Sequence, residues 1–284
     1  AGLISPRSVV QFHFPLPKVM NVVLSDFNFL RPVYFSKMVR LGNNFDGGYI
    51  LPEKIIKDSD GLLSFGYGYD CSFEQDYIKK TNNSVIIYDH TCDYFKLIKV
   101  FLKYFKRFLL FRKKIKDVKF HFNNLIKHHN FVRSKKINFF KKKIVDQEKE
   151  KIDISIKKIL ENIKFKKAIL KCDIEGTEYD ILNELIQYNK IFNCILIEFH
   201  KIEKNINSFK DLIKKLSKFY DIVHLHGNNH DPFLQDINLP STLEITLIKK
   251  SFILEKKFVN KFPNKYLDNP NNPNLKDFEF EFKD

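Results

Sequence analysis

Two carboxylates stand two residues apart in the run Leu170-Lys-Cys-Asp-Ile-Glu-Gly-Thr-Glu178, directly after an apolar stretch. At the end of a buried strand, Asp173 and Glu175 would project into one crevice, where like charges raise one pKa and make a usable base. His200 closes a second apolar stretch and is a third candidate proton acceptor. A purely structural use competes: Asp173 or Thr177 can cap the following helix, with Glu178 in its first turn. The two uses are compatible.

A second constellation is Phe65-Gly-Tyr-Gly-Tyr-Asp70, followed by Ser72 and Phe73 and then by Asp89-His90. Gly66 and Gly68 let the backbone approach a ligand, and a helix beginning after Asp70 offers free N–H groups. A carboxylate about 20 residues on is placed to accept hydrogen bonds from both hydroxyls of a ribose. The third glycine of the dinucleotide fingerprint is missing, as is any GxxxxGK[ST] phosphate loop. A shorter GxG with a ribose-binding acid suits S-adenosyl-L-methionine (SAM), which has no phosphates to cradle. Gly66, Tyr67, Gly68, Asp70, Ser72, Phe73, Asp89 and His90 are therefore the expected cofactor residues. The plain alternative is a tight strand-to-helix turn followed by a solvated aspartate.

Histidines and amides cluster later, in His224-Leu-His-Gly-Asn-Asn-His230. His226, Asn228 and Asn229, with Asp46, Gly47 and Gly48 from an upstream turn, are expected to line an acceptor pocket, because amides and imidazoles match sugar hydroxyls. A His-x-His with a further His and Asp231 also suits a zinc ion, but paired cysteines and an HExxH are both lacking, so no metal is expected. His128 and His129 are expected at the surface.

The elements that must hold these residues alternate. Apolar runs at 61–65, 84–88, 137–140, 168–172, 194–199, 222–225 and 243–248 read as strands; stretches 73–80, 95–111, 155–162, 178–188 and 209–219 read as helices. The strands are apolar on both faces and polar residues gather just after their ends. That pattern predicts an α/β, doubly wound Rossmann-like sheet with its ligand site at the strand carboxyl ends. Phe278, Phe280 and Phe282 alternate with acids, suggesting an edge strand or a docked tail. Of the chain's nine glycines, six lie between Gly42 and Gly68, and no proline falls between Pro52 and Pro232.

The chain has 284 residues and a formal net charge of +15. Between Lys96 and Lys143 there are 17 basic residues against one acid, Asp117; the remainder is close to neutral. This describes a near-neutral domain carrying one basic module, not a globally basic nucleic-acid binder. Within the module Ile98, Phe101, Leu102, Phe105, Phe108 and Leu109 recur at helical spacing. Its basic side is expected to be either a plain solvated face or a contact for an anionic acceptor or the headgroups of a membrane, with RNA less favoured. Four scattered cysteines without a CxxC argue against a disulfide scaffold, and 30 Phe with 12 Tyr argue against disorder. No apolar run reaches the length of a membrane span, and a cytoplasmic protein, peripheral at most to the inner face of the membrane, is expected.

Lys171-Cys-Asp-Ile-Glu-Gly-Thr-Glu-Tyr-Asp-Ile-Leu182 resembles the hallmark run of the FkbM-type SAM-dependent methyltransferases. Asn44-Phe-Asp-Gly-Gly-Tyr-Ile-Leu51, Gly66-Tyr-Gly-Tyr-Asp-Cys-Ser-Phe-Glu74, Tyr88-Asp-His90, His224-Leu-His-Gly-Asn-Asn229 and Pro240-Ser-Thr-Leu-Glu-Ile-Thr246 are similar to that family in the same order. The resemblance implies a class I methyltransferase fold, SAM as cofactor, and methylation of a hydroxyl on a sugar, a surface-polysaccharide precursor or a related small molecule. It implies a division into an N-terminal extension (1–40), a methyltransferase domain (41–255) and a C-terminal tail (256–284). The basic stretch, about 95–135, departs from the family as a helical insertion. An RNA methyltransferase, or a non-catalytic SAM- or nucleotide-binding module acting through the basic helix, is the alternative.

Overall fold

A computed structural model describes residues 21–283, so half of the expected N-terminal extension lies outside the described residues. Seven apolar runs form one sheet: β1 (Leu62–Phe65), β2 (Val85–Tyr88), β3 (Ile137–Phe140), β4 (Ala168–Cys172), β5 (Phe192–Phe199), β6 (Tyr220–Gly227) and β7 (Leu243–Lys249). Their spatial order is 3-2-1-4-5-7-6, and only β7 runs antiparallel to its neighbours. The chain winds outward from β1 through β2 to β3, then returns to place β4 on the other side of β1. That reversal leaves a crevice beyond the carboxyl ends of β1 and β4, where open α/β sheets bind ligands. The sheet is Rossmann-like and doubly wound.

Alternation along each strand feeds two cores. Leu63, Phe65, Leu170, Ile195 and Ile197 face a layer built from α5 (Ile156–Asn162), α6 (Glu178–Gln187) and α7 (Ile206–Leu216). Leu62, Val85, Ile87, Ile169 and Leu196 face the opposite layer, which contains α1 (Glu53–Asp58), α2 (Ser72–Thr81) and the hairpin of Met38–Leu41 with Tyr49–Pro52. All four cysteines are free and buried.

The basic insertion is a helical hairpin of α3 (Tyr94–Leu109) and α4 (Ile115–Val132). The sequence pattern gave no sign of α4, whose apolar residues serve two neighbours and so form no single stripe. The tail does not form an edge strand of the main sheet. Glu279–Glu281 is instead the middle strand of a separate three-stranded ribbon, between Asn21–Val23 and Lys261–Phe262, and Phe280 and Phe282 are buried.

Candidate active site

A cleft of about 460 Å³ opens at the carboxyl ends of β1, β2 and β4. Its walls are the Gly66–Gly68 loop with Asp70, the Tyr88–Thr91 turn, Lys142 to Ile144 after β3, the Lys171–Thr177 segment, and Asp46 with Gly47. Glycine is required at position 66. Its φ is +78°, and a Cβ there would collide with the main-chain oxygen of Asp173. The loops after β1 and β4 are thereby in direct contact, which joins the GxG and DIEG runs into one floor.

Asp89 organises that floor. Its Oδ2 accepts from the amides of Tyr67 (2.8 Å) and Gly68 (2.9 Å) and from the Cys92 thiol (3.4 Å). Oδ1 accepts from Thr91 N and Thr91 Oγ1, both at 2.6 Å, and from Cys92 N at 3.2 Å. Burial pushes the carboxyl pKa up, but hydrogen bonds from Thr91, Gly68 and Tyr67 outweigh it and bring the value down to about 2. Six donors already surround a group with about four lone-pair sites. Asp89 is first of all the tie that shapes the glycine loop. Asp70 does similar work next door: its carboxylate takes Ser72 N, Ser72 Oγ and Asn43 Nδ2, linking the start of α2 to the turn that carries Gly47.

A cluster of ionisable groups sits at the ends of β4 and β5. His200 holds Glu178 through Nδ1 at 2.9 Å, while its Nε2 lies 3.9 Å from Asp173, 3.9 Å from Glu175 and 3.8 Å from Glu198. Burial lowers the imidazole pKa, but the Glu178 hydrogen bond and the fields of Glu198, Glu178 and Asp173 raise it to about 9. At neutral pH His200 is an imidazolium with no lone pair to offer, so its expected role as a base gives way to that of a fixed positive charge. Asp173 is pushed up by burial, against the lowering effects of Lys171 and His200. Tyr49 donates to it at 3.1 Å. Glu198 is pushed far up by burial and by Asp173 and Glu244, and its Oε2 also accepts from the Tyr49 hydroxyl, at 3.0 Å. Glu175 is exposed at the cleft rim in a left-handed conformation, with φ of +58°. One potential ligand atom from each of Asp173, Glu175 and His200 falls within 4.8 Å of the others.

Lys171, Thr91, Lys142 and Lys143 are cleft residues that the sequence reading did not single out. Lys171 is visible in retrospect: a lysine inside a strand buried on both faces needs acidic partners. Its Nζ donates to Gly66 O at 2.8 Å and lies 3.9 Å from both Glu74 and Asp173. Burial works against its charge, yet those carboxylates raise its pKa.

The acceptor-pocket residues expected on β6 lie elsewhere. His226 is clamped between Glu244 (3.3 Å) and Asp277 (3.0 Å), and those two acids drive its pKa well up despite burial. Asn229 donates to the carbonyls of Asn272, Leu275 and Lys276 and accepts from Asn272 N. Asn228 is spent on Glu198 and His230 N. None of the three lines the cleft: the tail takes up hydrogen bonds of His226 and Asn229, and Asn228 is held by Glu198 and His230. His224 is held through Nε2 by Asp268 at 3.0 Å. His128, expected at the surface, is buried with Nδ1 3.1 Å from the Tyr67 hydroxyl. Phe73 is a core residue packed edge-on against Tyr49, and Ser72 and Gly48 stand behind the cleft wall; only Asp46, Gly47, Gly66, Tyr67, Gly68, Asp70, Asp89, His90, Asp173 and Glu175 of the expected set line it.

No family model matches the chain, and no curated protein matches it. Among solved structures it is similar to the Methanococcus jannaschii fibrillarin pre-rRNA processing protein, with 13% identity, 69% of this chain and 68% of that one covered, and a TM-score of 0.38. An rRNA methylase from Streptococcus thermophilus shares 9% identity over 69% of this chain and 90% of that one, with a TM-score of 0.36. Precorrin-6y C5,15-methyltransferase from Geobacter metallireducens GS-15 shares 7% identity over 70% and 86%, with a TM-score of 0.35. Likenesses this distant decide nothing about chemistry or substrate.

Proposed function

We propose that this chain is a SAM-dependent O-methyltransferase of the FkbM type, acting on a hydroxyl of a sugar, a polysaccharide precursor or a related small molecule. The observation that carries this reading is the convergence of the glycine loop, Asp89 and the Asp173–Thr177 segment on one cleft at the switch point of the sheet. The residues fit the cofactor in a specific way. The Thr91 hydroxyl, itself a cleft residue, donates to Asp89 Oδ1 as a ribose hydroxyl would. Rotation of that side chain would free the acceptor, with His90 alongside. Gly66, Tyr67 and Gly68 supply close backbone approach for the methionine part, with Asp70 next to them.

SAM supplies an electrophilic methyl group; the chain's own residues handle the acceptor. Asp173 takes the hydroxyl proton: it borders the cleft, and burial makes it more basic than a surface carboxylate. Protonated His200, 3.9 Å from it, together with Lys171, keeps Asp173 ionised and oriented. Glu175, Asp46, Gly47, Lys142 and Lys143 offer polar contacts to a hydroxylated, partly anionic acceptor. Calorimetry with SAM, followed by product assays on glycan precursors and RNA in parallel, tests the reading. Absence of SAM binding removes it, and methyl transfer to RNA alone changes the substrate class.

A further inference from the structure

The helical hairpin is an unusual use of residues for a folded domain. α3 buries no side chain, although its apolar stripe would ordinarily demand burial. Phe101 leans on Phe122 of α4, but Leu102, Phe105 and Leu109 remain exposed. Of the twenty large apolar side chains exposed among the described residues, twelve lie between Tyr94 and Ile126. The apex is the extreme case, with Leu109, Leu110 and Ile115 each at least half exposed and Phe111 99% exposed. Lys106, Arg107, Arg112, Lys113 and Lys114 surround this apex, and among the described residues no lysine or arginine from 96 to 136 has a carboxylate partner within 4.0 Å.

We infer that the α3–α4 hairpin docks on the surface of an anionic lipid bilayer, its apex entering the boundary between headgroups and acyl chains. An anionic bilayer satisfies both halves of the surface at once: apolar depth for Leu110 and Phe111, and phosphates for the cations around them. A nucleic acid would answer the charge and offer Phe111 a base to stack on, but would give Leu109, Leu110 and Ile115 no comparable medium. The root of the hairpin is firm where its tip is bare. Phe131 stacks on Tyr67 at 5.4 Å and His128 bonds the same tyrosine, so docking would present the cleft at a fixed attitude to the membrane. The inference stands on this surface alone and does not depend on the methyltransferase reading.

The test uses the whole chain with sedimented vesicles of phosphatidylcholine, or of equal parts phosphatidylcholine and phosphatidylglycerol. Wild type should partition to the anionic vesicles only, and less as salt rises. Leu110→Ser with Phe111→Ser should lower that partitioning about tenfold or more. Lys106→Gln, Arg107→Gln, Arg112→Gln and Lys113→Gln together should lower it roughly a hundredfold. All six positions are exposed, so circular dichroism should show both variants folded. Equal binding to neutral vesicles, no vesicle binding, or partitioning unchanged in the apex variant would overturn the inference. So would a preference for a structured RNA that survives the apex substitutions and is lost with the charges.

Discussion

The two ends of the strand carboxyl edge carry the same kinds of residue and put them to opposite uses. Beyond β6, His224, His226 and Asn229 are covered by the tail, which supplies Asp268, Asp277 and three main-chain carbonyls to satisfy them. Beyond β1, β2 and β4 none of the described residues covers the edge, and Asp173 and Glu175 face a cleft. A polar residue at a strand end is thus a functional group only where the rest of the chain leaves its bonding capacity unspent. Spacing cannot show this, because the residues that spend it lie elsewhere in the sequence.

The contrast breaks most sharply if Asp173 proves dispensable. Asp173→Asn should lower kcat by about 10²–10⁴-fold while leaving SAM affinity near normal; calorimetry and single-turnover assays separate the two. At the covered end, His226→Leu leaves Glu244 buried without its cation and should cost about 3–5 kcal/mol in urea unfolding, with SAM affinity unchanged in the folded fraction. If it lowered methyl transfer without lowering stability, the two ends would have to exchange roles.

Asp89 lies between these extremes: it ties the glycine loop and, on the proposed reading, also accepts from the ribose. Its pKa is depressed to about 2, so its contribution of about 2 kcal/mol is present above pH 3.8 and lost as pH falls through 2. Asp89→Ala should remove that acid-sensitive increment and also weaken SAM binding. The opposite sign holds at His200. Its raised pKa means that its stabilising charge is complete below about pH 6.5 and disappears as pH rises through about 9. Melting temperatures across that window should fall in wild type and fall less in His200→Gln. The smallest effect is expected at Thr91. Thr91→Ala removes a competitor for Asp89 and should tighten SAM binding a few-fold, the equivalent of about one hydrogen bond.

The sheet was readable because each strand is a short apolar run, closed at once by glycine or an acid in β1, β2 and β4, and Ala168–Cys172 and Ile137–Phe140 occur where expected. The GxG and DIEG runs were readable because their demands are local: a left-handed turn at Gly66, a carboxylate pair at a strand end. Whatever depended on distant partners was not. The protonation of His200 is set by Glu178 and Glu198, the burial of His128 by Tyr67, and the loss of His226 to the tail by Asp277, 51 residues away. Lys142 and Lys143 read as part of a uniform basic stretch, and only the turn after β3 brings them to the cleft.

The tail's carboxylates also impose an order on synthesis. A ribosome completes β6 when Asp268 and Asp277 have not yet been made, since they follow His224 and His226 by 44 and 51 residues. Two imidazoles meant for a dry interior then lack their tail partners, and this end of the sheet stays wet until the tail arrives. The Glu178–His200 pair needs only 22 residues to close. The cleft end can therefore settle first, while the covered end remains the last part of the sheet to seal and the one most open to aggregation on a stalled ribosome.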